Sequence, residues 1–297
     1  MGKAKPGIRT PVVLIVLVGA LWHAAPHAAE PGSAEFKEEI AKQDQIYRSG
    51  AEQVKAGYTV DRSLTVYADG LSSDFDATLA KLGPNDRWLD IGAGEGRAIL
   101  DYYSPAYDLT HGGRPQRGTR AQAVAMSIED RRTPLWQQTA AQLGPDRIQY
   151  LYDKRLGEYS VEELGRFQVI TDVIGGFSYT DNLSRFVNRV LGLLEVNGSF
   201  FTALQDVQWE NGANPPHYAG ARYLTEIANP DGSSMKICAW LKRISCAEVT
   251  CEAKPQWQPP LEAFRIRKTC NEVKVPDLQP VIYQAGTPPE RRFRLAQ

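Results

Sequence analysis

The chain lacks any excess of charge, any broad supply of cysteine, and any apolar run long enough to span a bilayer. Its 297 residues carry 34 Lys+Arg against 35 Asp+Glu, a formal net charge of -1. That balance gives no general electrostatic ground for a nucleic-acid partner. The 4 cysteines all fall within the last sixty residues and include no C-x-x-C pair. The 4 histidines have no finger-like spacing either, so no metal centre is expected. No internal repeat is visible, which argues against a repeat architecture. What is present is ordinary: 42% hydrophobic and 9% aromatic residues. These values exclude a disordered chain, a collagen-like chain and a multi-span membrane protein. The length suffices for one large domain or two small ones.

The N-terminus differs from the rest. Lys3, Lys5 and Arg9 form a basic start with no acidic residue. An apolar run of 12 residues follows, from Pro11 to Trp22, and then the small residues Ala24, Ala25, Ala28 and Ala29. This is the pattern of a secretory signal peptide, and the run is shorter than the roughly 20 residues of a spanning helix. The expectation is an exported chain, periplasmic or secreted, cut after Ala29 or Ala25. Retention of residues 11–25 as a membrane anchor is the alternative, and only then is a membrane a partner. Without 1–29 the chain has 31 basic and 35 acidic residues, a net -4. An even cysteine count in an exported chain favours disulfides.

Beyond the leader, residues 34–57 are polar, with spaced positions such as Phe36, Ile40, Tyr47 and Val54, and predict one or two amphipathic cap helices. Ser73, with Asp76 three residues on, predicts a helix start, and Gly83-Pro84 its stop. A strand follows over 87–91, then a glycine-rich turn and a helix over 97–103. Residues 104–120, rich in Gly, Pro and Arg, predict an inserted loop. Strands are predicted over 121–128, 147–152, 167–173 and 199–204. Helices are predicted over 132–143, 161–164 and 181–195. The last has Leu183, Phe186, Val187, Val190, Leu191 and Leu194 on one stripe, with Asn197-Gly198 ending it. Residues 205–232 break the rhythm and predict a loop or hairpin insertion. A helix over 235–244, two strands over 246–254 and 261–269, and an irregular tail from 276 complete the chain. Strands alternating with helices at this spacing predict an α/β fold, a doubly wound, mostly parallel sheet flanked by helices, with a C-terminal antiparallel hairpin.

The richest signal is Asp90-Ile91-Gly92-Ala93-Gly94-Glu95-Gly96-Arg97. Glycines after a strand allow a tight turn and close approach of a ligand, and the following helix aims free N–H groups at it. A dinucleotide turn needs Gly-x-Gly-x-x-Gly, whereas here the third glycine is 96 and residue 97 is Arg. A carboxylate at 90 would repel a pyrophosphate but hold an ammonium group. The pattern points to a cationic cofactor with an amino-acid end and disfavours a nicotinamide enzyme.

Asp90-x-Gly92-x-Gly94-x-Gly96 resembles the signature of the class I S-adenosylmethionine-dependent methyltransferases. Residues 193–200 resemble that family's segment leading into the fifth strand. Residues 240–244, followed by a strand pair, resemble its last helix and antiparallel hairpin. The resemblance spans roughly 85–270. It implies a cap at 30–72, a methyltransferase-like domain at 73–275 with the insertion at 205–232, and a tail at 276–297. It also implies S-adenosylmethionine as cofactor. Gly92, Gly94 and Gly96 would pass under the methionine and ribose, and Asp90 would fix the amino group. The family's ribose acid maps onto Ser127, so Glu129 takes that role, with Asp130 as alternate. Glu158, or Asp153, would accept from the adenine amino group. Asp172 would lie near the transferred methyl.

Each acid also has a plain structural reading. Asp90 and Asp153 can be turn residues, and Glu129 and Asp130 can serve a helix dipole. Asn214-Pro215-Pro216-His217 resembles the box of amino-group methyltransferases but lies after the wrong strand, and reads as a turn. His217, Tyr218 and Tyr179 remain substrate-side candidates, and no residue announces itself as a general base. The methyl acceptor, small molecule or protein, is not identified by the sequence. Export fits poorly with a cofactor made in the cytosol, so an exported binding module without catalysis is the alternative function. A hairpin turn centred near 257–258 places Cys246 opposite Cys270 and leaves Cys238 with Cys251.

Overall fold

The computed structural model describes residues 62–104, 120–180, 182–205, 226–257, 261–284 and 290–296. The expectations for residues 1–57, for the inserted loop after 104, and for His217, Tyr218 and the 214–217 box lie outside these residues, as does the Tyr179 side chain. Among the described residues no helix is long and apolar enough to cross a membrane.

The elements run α1 (Leu64–Gly70), α2 (Phe75–Ala80), β1 (Arg87–Ile91), α3 (Arg97–Tyr103), β2 (Gln122–Met126), α4 (Pro134–Leu143), β3 (Ile148–Leu151), a 3-10 turn (Leu156–Glu158), α5 (Val161–Leu164), β4 (Phe167–Val173), α6 (Gly176–Tyr179), α7 (Leu183–Leu193), β5 (Leu194–Gln205), β6 (Glu226–Ala228), β7 (Ser234–Lys236), α8 (Ile237–Leu241), β8 (Ala247–Lys254), β9 (Leu261–Lys268), β10 (Leu278–Gln284) and β11 (Glu290–Leu295). Seven strands form one sheet in the order β3-β2-β1-β4-β5-β9-β8. β1 to β5 are parallel, and β9 runs antiparallel to both β5 and β8. This is the doubly wound, mostly parallel sheet with an antiparallel pair that the sequence predicts.

Strand alternation divides the core. Trp88, Ala123, Val169, Val173 and Phe201 face one side and pack with Leu64, Tyr67, Phe75 and Ile99 of α1–α3. Leu89, Ile91, Ile170 and Phe200 face the other, against Leu183, Val187 and Leu191 of α7 and Trp240 of α8. The α7 residues Leu183, Val187, Val190 and Leu191 are all fully buried. Each such side chain stabilises the fold by about 1.5–3 kcal/mol. Lys268, 2% exposed, closes the end of α7 by donating to the carbonyls of Leu191 (3.0 Å) and Leu194 (2.8 Å).

Several boundaries differ from expectation. α2 starts at Phe75, not Ser73, because Ser73 Oγ and N–H both donate to Glu252 on β8. α7 stops at Leu193, and β5 runs through Asn197-Gly198 rather than starting after it. The ladder absorbs this with a bulge: Phe167 pairs with Leu194 but Val169 with Ser199, and Asn197 takes a left-handed φ of 69°. Met235 lies in β7 opposite Ile227, so the predicted helix over 235–244 shrinks to α8.

The predicted irregular tail is also corrected. β10 and β11 join the hairpin β6–β7 in a second sheet, ordered β10-β11-β6-β7. Leu278 and Phe293 are buried in the α7 side of the core, at 5% and 4% exposure. Ser184 of α7 ties the tail down, donating to the Pro276 carbonyl and accepting from the Leu278 N–H (2.7 Å). The tail's apolar residues are too sparse to show a period, so only the partner strand makes it regular.

Two disulfides cross-link the C-terminal region. Cys238 of α8 joins Cys251 of β8 (Cα–Cα 6.2 Å), and Cys246 joins Cys270 (5.1 Å), the two pairs expected from the sequence, although the ladder itself runs one residue out of the expected register. The second bond sits just beyond the ladder, whose last pair is Ala247 and Lys268. There Thr269 N–H donates to the Cys246 carbonyl at 2.8 Å. Peptide mapping without reductant should recover 238–251 and 246–270 as linked pairs. Replacing Cys246 and Cys270 together by Ser should lower stability in urea by about 3 kcal/mol, since each bond closes a short loop.

Candidate cofactor site

The site lies at the carboxyl ends of β1 and β4, neighbours in the sheet. β1 ends at Ile91, and Gly92 (φ 71°), Gly94 (φ 57°) and Gly96 (φ 74°) all turn left-handed before α3 begins. L side chains rarely adopt this conformation, which explains three glycines in five residues. The contacts separate their tasks. A Cβ on Gly92 would stand 3.0 Å from the Cα of Gly175, so the turns after β1 and β4 meet backbone to backbone. A Cβ on Gly96 would run into the Trp136 indole of α4. Trp136 is 1% exposed, and its ring packs edge-on against Tyr150 at 5.2 Å. The Tyr150 hydroxyl donates to the Gly94 carbonyl. Gly96 therefore seats an internal aromatic rather than leaving room for a ligand.

Asp90 is fully buried on the α1 side of the sheet. Its carboxylate accepts from Thr171 Oγ1 of β4 (2.7 Å) and from the Tyr67 hydroxyl of α1, which reaches both oxygens at 3.0 and 3.1 Å. Trp88 Nε1 donates in turn to Thr171 Oγ1 at 2.8 Å. Burial pushes the Asp90 carboxyl up to about 7, against the pull of the Thr171 and Tyr67 hydrogen bonds. Burial, with Asp90 beside it, likewise raises the Tyr67 hydroxyl well above its ordinary value. Arg62, just before α1, donates to the Val173 carbonyl at the end of β4 (3.4 Å).

Asp172 points to the opposite face and is also fully buried. Its carboxylate accepts from the N–H groups of Gly175 and Phe177, both at 2.8 Å, and so caps the turn into α6. Burial again lifts it to about 7, opposed by those backbone donors. On β5, the strand beside it, Thr202 carries a buried hydroxyl with no hydrogen-bond partner among the described residues.

The other sequence candidates bond to their own neighbours along the chain. Glu129 pairs with Arg131 (2.9 Å) and Asp130 with Arg132 (2.7 Å). Glu158 is exposed and accepts from the Arg155 N–H at 2.7 Å, closing the 3-10 turn. Asp153 occupies a left-handed turn position, φ 66°. Ser127, at the end of β2, is 9% exposed and offers a hydroxyl where a carboxylate would suit a ribose. Sequence reasoning missed Tyr67, Thr171 and Arg62. Thr171 had a signal, because strand alternation puts it on the face of its register partner Asp90. Tyr67 and Arg62 had none, since only tertiary packing sets them beside β1 and β4.

The two raised carboxyls give the stability a pH dependence of definite sign. In the folded chain each keeps its proton up to about 7, whereas the unfolded value is near 3.8. The folded state binds more protons between these values, so stability falls as pH rises through that window and levels off above it. The thermal midpoint should be lower at pH 8 than at pH 5. Asp90→Asn should shrink that drop, by about 1.4 kcal/mol for each tenfold change in proton affinity that burial imposes on the carboxyl. Gly96→Ala should destabilise by about 1–3 kcal/mol, through both the left-handed φ and the Trp136 contact.

No protein-family model matches the chain, and no curated protein matches it. Among solved structures the chain is similar to the plantazolicin methyltransferase BpumL, solved with a triazolic desmethylPZN analog and SAH. The identity is 12%, over 80% of this chain and 98% of that one, with a TM-score of 0.46. It is similar also to phosphoethanolamine N-methyltransferase 2 of Haemonchus contortus, at 11% identity over 80% of this chain and 61% of that one, TM-score 0.43. An rRNA methylase from Streptococcus thermophilus gives 11% identity over 66% and 93%, TM-score 0.37. None of these TM-scores reaches 0.5, and the architecture itself carries the assignment. With parallel strands β1 to β5, an antiparallel β9–β8 pair beside them, and a three-glycine left-handed turn after Asp90, the chain has the fold of the class I S-adenosylmethionine-dependent methyltransferases.

Proposed function

We propose that this chain transfers the methyl group of S-adenosylmethionine to an acceptor, and that it does so after export. The observation that carries the reading is the buried Asp90 carboxylate at the end of β1, next to a turn of three left-handed glycines. The sulfonium cofactor supplies the activated methyl. The chain's own task is then to bind, orient and exclude water, so that the acceptor atom lies in line with the methyl and sulfur. Asp90 and Asp172 are buried acids at the strand ends, and in their ionised form they suit the cationic methionine end. The ribose end has Ser127 and, two residues on, Glu129.

Two features support an oxidising compartment: the basic–apolar–small pattern of residues 1–29 and the two disulfides. One observation favours the second reading, an exported binding module without catalysis. Glu129, Glu158 and Asp172 each spend their carboxylates on neighbouring groups of the chain itself.

Calorimetric titration of the oxidised protein with S-adenosylmethionine, and then with S-adenosylhomocysteine, separates the two. Micromolar binding is expected, weakened at least tenfold in Asp90→Ala. A folded protein that binds neither ligand up to millimolar concentration would favour the non-catalytic module.

A further inference from the structure

We propose that Cys238, Cys251 and Glu262 form a zinc(II) site in the reduced chain, which the Cys238–Cys251 disulfide replaces on oxidation. The site lies on the α7 side of the sheet and does not depend on a cofactor beside Asp90. Spacing along the chain gives no sign of it, because its ligands come from α8, β8 and β9. The sheet register brings the last two together. Cys251 pairs with Phe264 and Ala253 with Glu262, so Glu262 is the diagonal neighbour of Cys251 on one face. Cys238, in the first turn of α8, reaches that face from above. The two sulfurs and a Glu262 carboxylate oxygen all lie within 4.8 Å of one another. All three residues are half-buried, at the margin of the α7-side core, so an ion can enter from solvent. Among the described residues no carboxylate or imidazole joins Cys246 and Cys270 in the same way.

A newly made chain carries thiols, because disulfides form only by oxidation. Two thiolates and one carboxylate suit zinc, with water in the fourth tetrahedral position. Bonds of about 2.3 Å to sulfur and about 2.0–2.2 Å to oxygen place ligand atoms roughly 3.5–3.8 Å apart. With the Cα atoms of Cys238 and Cys251 6.2 Å apart, side-chain rotation supplies that spacing without backbone movement. Each thiol gives its proton to solvent as the metal binds, so two protons leave per zinc. A disulfide-class oxidant reverses the state. It takes two electrons from the thiolates and two protons from solvent, becomes a dithiol, and zinc leaves as the sulfur–sulfur bond forms.

The test uses the full chain, reduced by a phosphine that is then removed without air, and titrated with cobalt(II). One cobalt per chain is expected, with thiolate charge-transfer absorption and tetrahedral visible bands that zinc abolishes. The oxidised chain should show neither. Glu262→Gln should weaken cobalt binding tenfold or more, and joint replacement of Cys246 and Cys270 by Ser should change it less than twofold. A second measurement needs no variant: on admission of a disulfide oxidant, zinc should slow formation of the 238–251 bond at least tenfold and leave 246–270 unaffected. Absence of thiolate bands up to millimolar cobalt overturns the proposal, as does a reduced chain that is unfolded and gains no structure with zinc. Equal protection of both cysteine pairs, or full affinity in Glu262→Gln, overturns it too, since either outcome removes Glu262 as the residue that makes this pair a site.

Discussion

A carboxylate with no exposed surface has to be matched by donors, and at Asp90 that requirement organises the site. Leaving such a group bare inside the core would cost several kcal/mol. The chain meets the demand from three directions. Thr171 donates from the neighbouring strand, Tyr67 donates from α1 to both oxygens, and Trp88 holds Thr171 in place. The arrangement fixes β1 against β4 and fixes α1 over the sheet. A helix that looks peripheral in the chain order is thereby tied to the end of β1. Arg62 follows from the same constraint, because the start of α1 carries it to the end of β4.

Close backbone approach is the second constraint. Gly92 meets Gly175 with no room for a side chain, so the turns after β1 and β4 form one surface. Asp172 folds the second turn around its own carboxylate. Gly96 serves a different purpose, making room for Trp136 and through it for the packing of α4 against Tyr150. One short glycine motif therefore serves both the meeting of two strand-end turns and the packing of an internal aromatic.

The C-terminal third is held by other means. The edge of the large sheet is pinned by Cys238–Cys251 and Cys246–Cys270, and the end of α7 by the buried Lys268 amine. The second sheet lies against α7 and α8 through Ile227, Leu278 and Phe293. The covalently tied sheet edge answers to the even cysteine count already visible in the sequence. The disulfides tolerate an oxidising compartment without touching the residues around Asp90.

Whatever depends on near neighbours along the chain was already legible in the sequence. The bounds of β1, α3, α5 and β4 follow from apolar period and turn chemistry, and the structure places them at the residues read from the sequence. The cysteine pairing was readable to within one residue of the hairpin register: the ladder ends at Ala247 and Lys268, and Cys246 bonds one place beyond the residue it would face. Of the candidate site, Asp90, the three glycines and Asp172 stood out for the same reason: each sits at a strand end. Features that needed the folded chain involve partners far apart in sequence. The bulge at Asn197 exists because β5 must keep register with β4. β10 and β11 exist as strands because α7 and β6 receive them. Folding set Tyr67 on Asp90 and Arg62 on the end of β4, while Glu129 and Glu158 turned to their own neighbours. A side chain's hydrogen-bonding partner is set by which surfaces meet on folding, and no local pattern encodes that meeting.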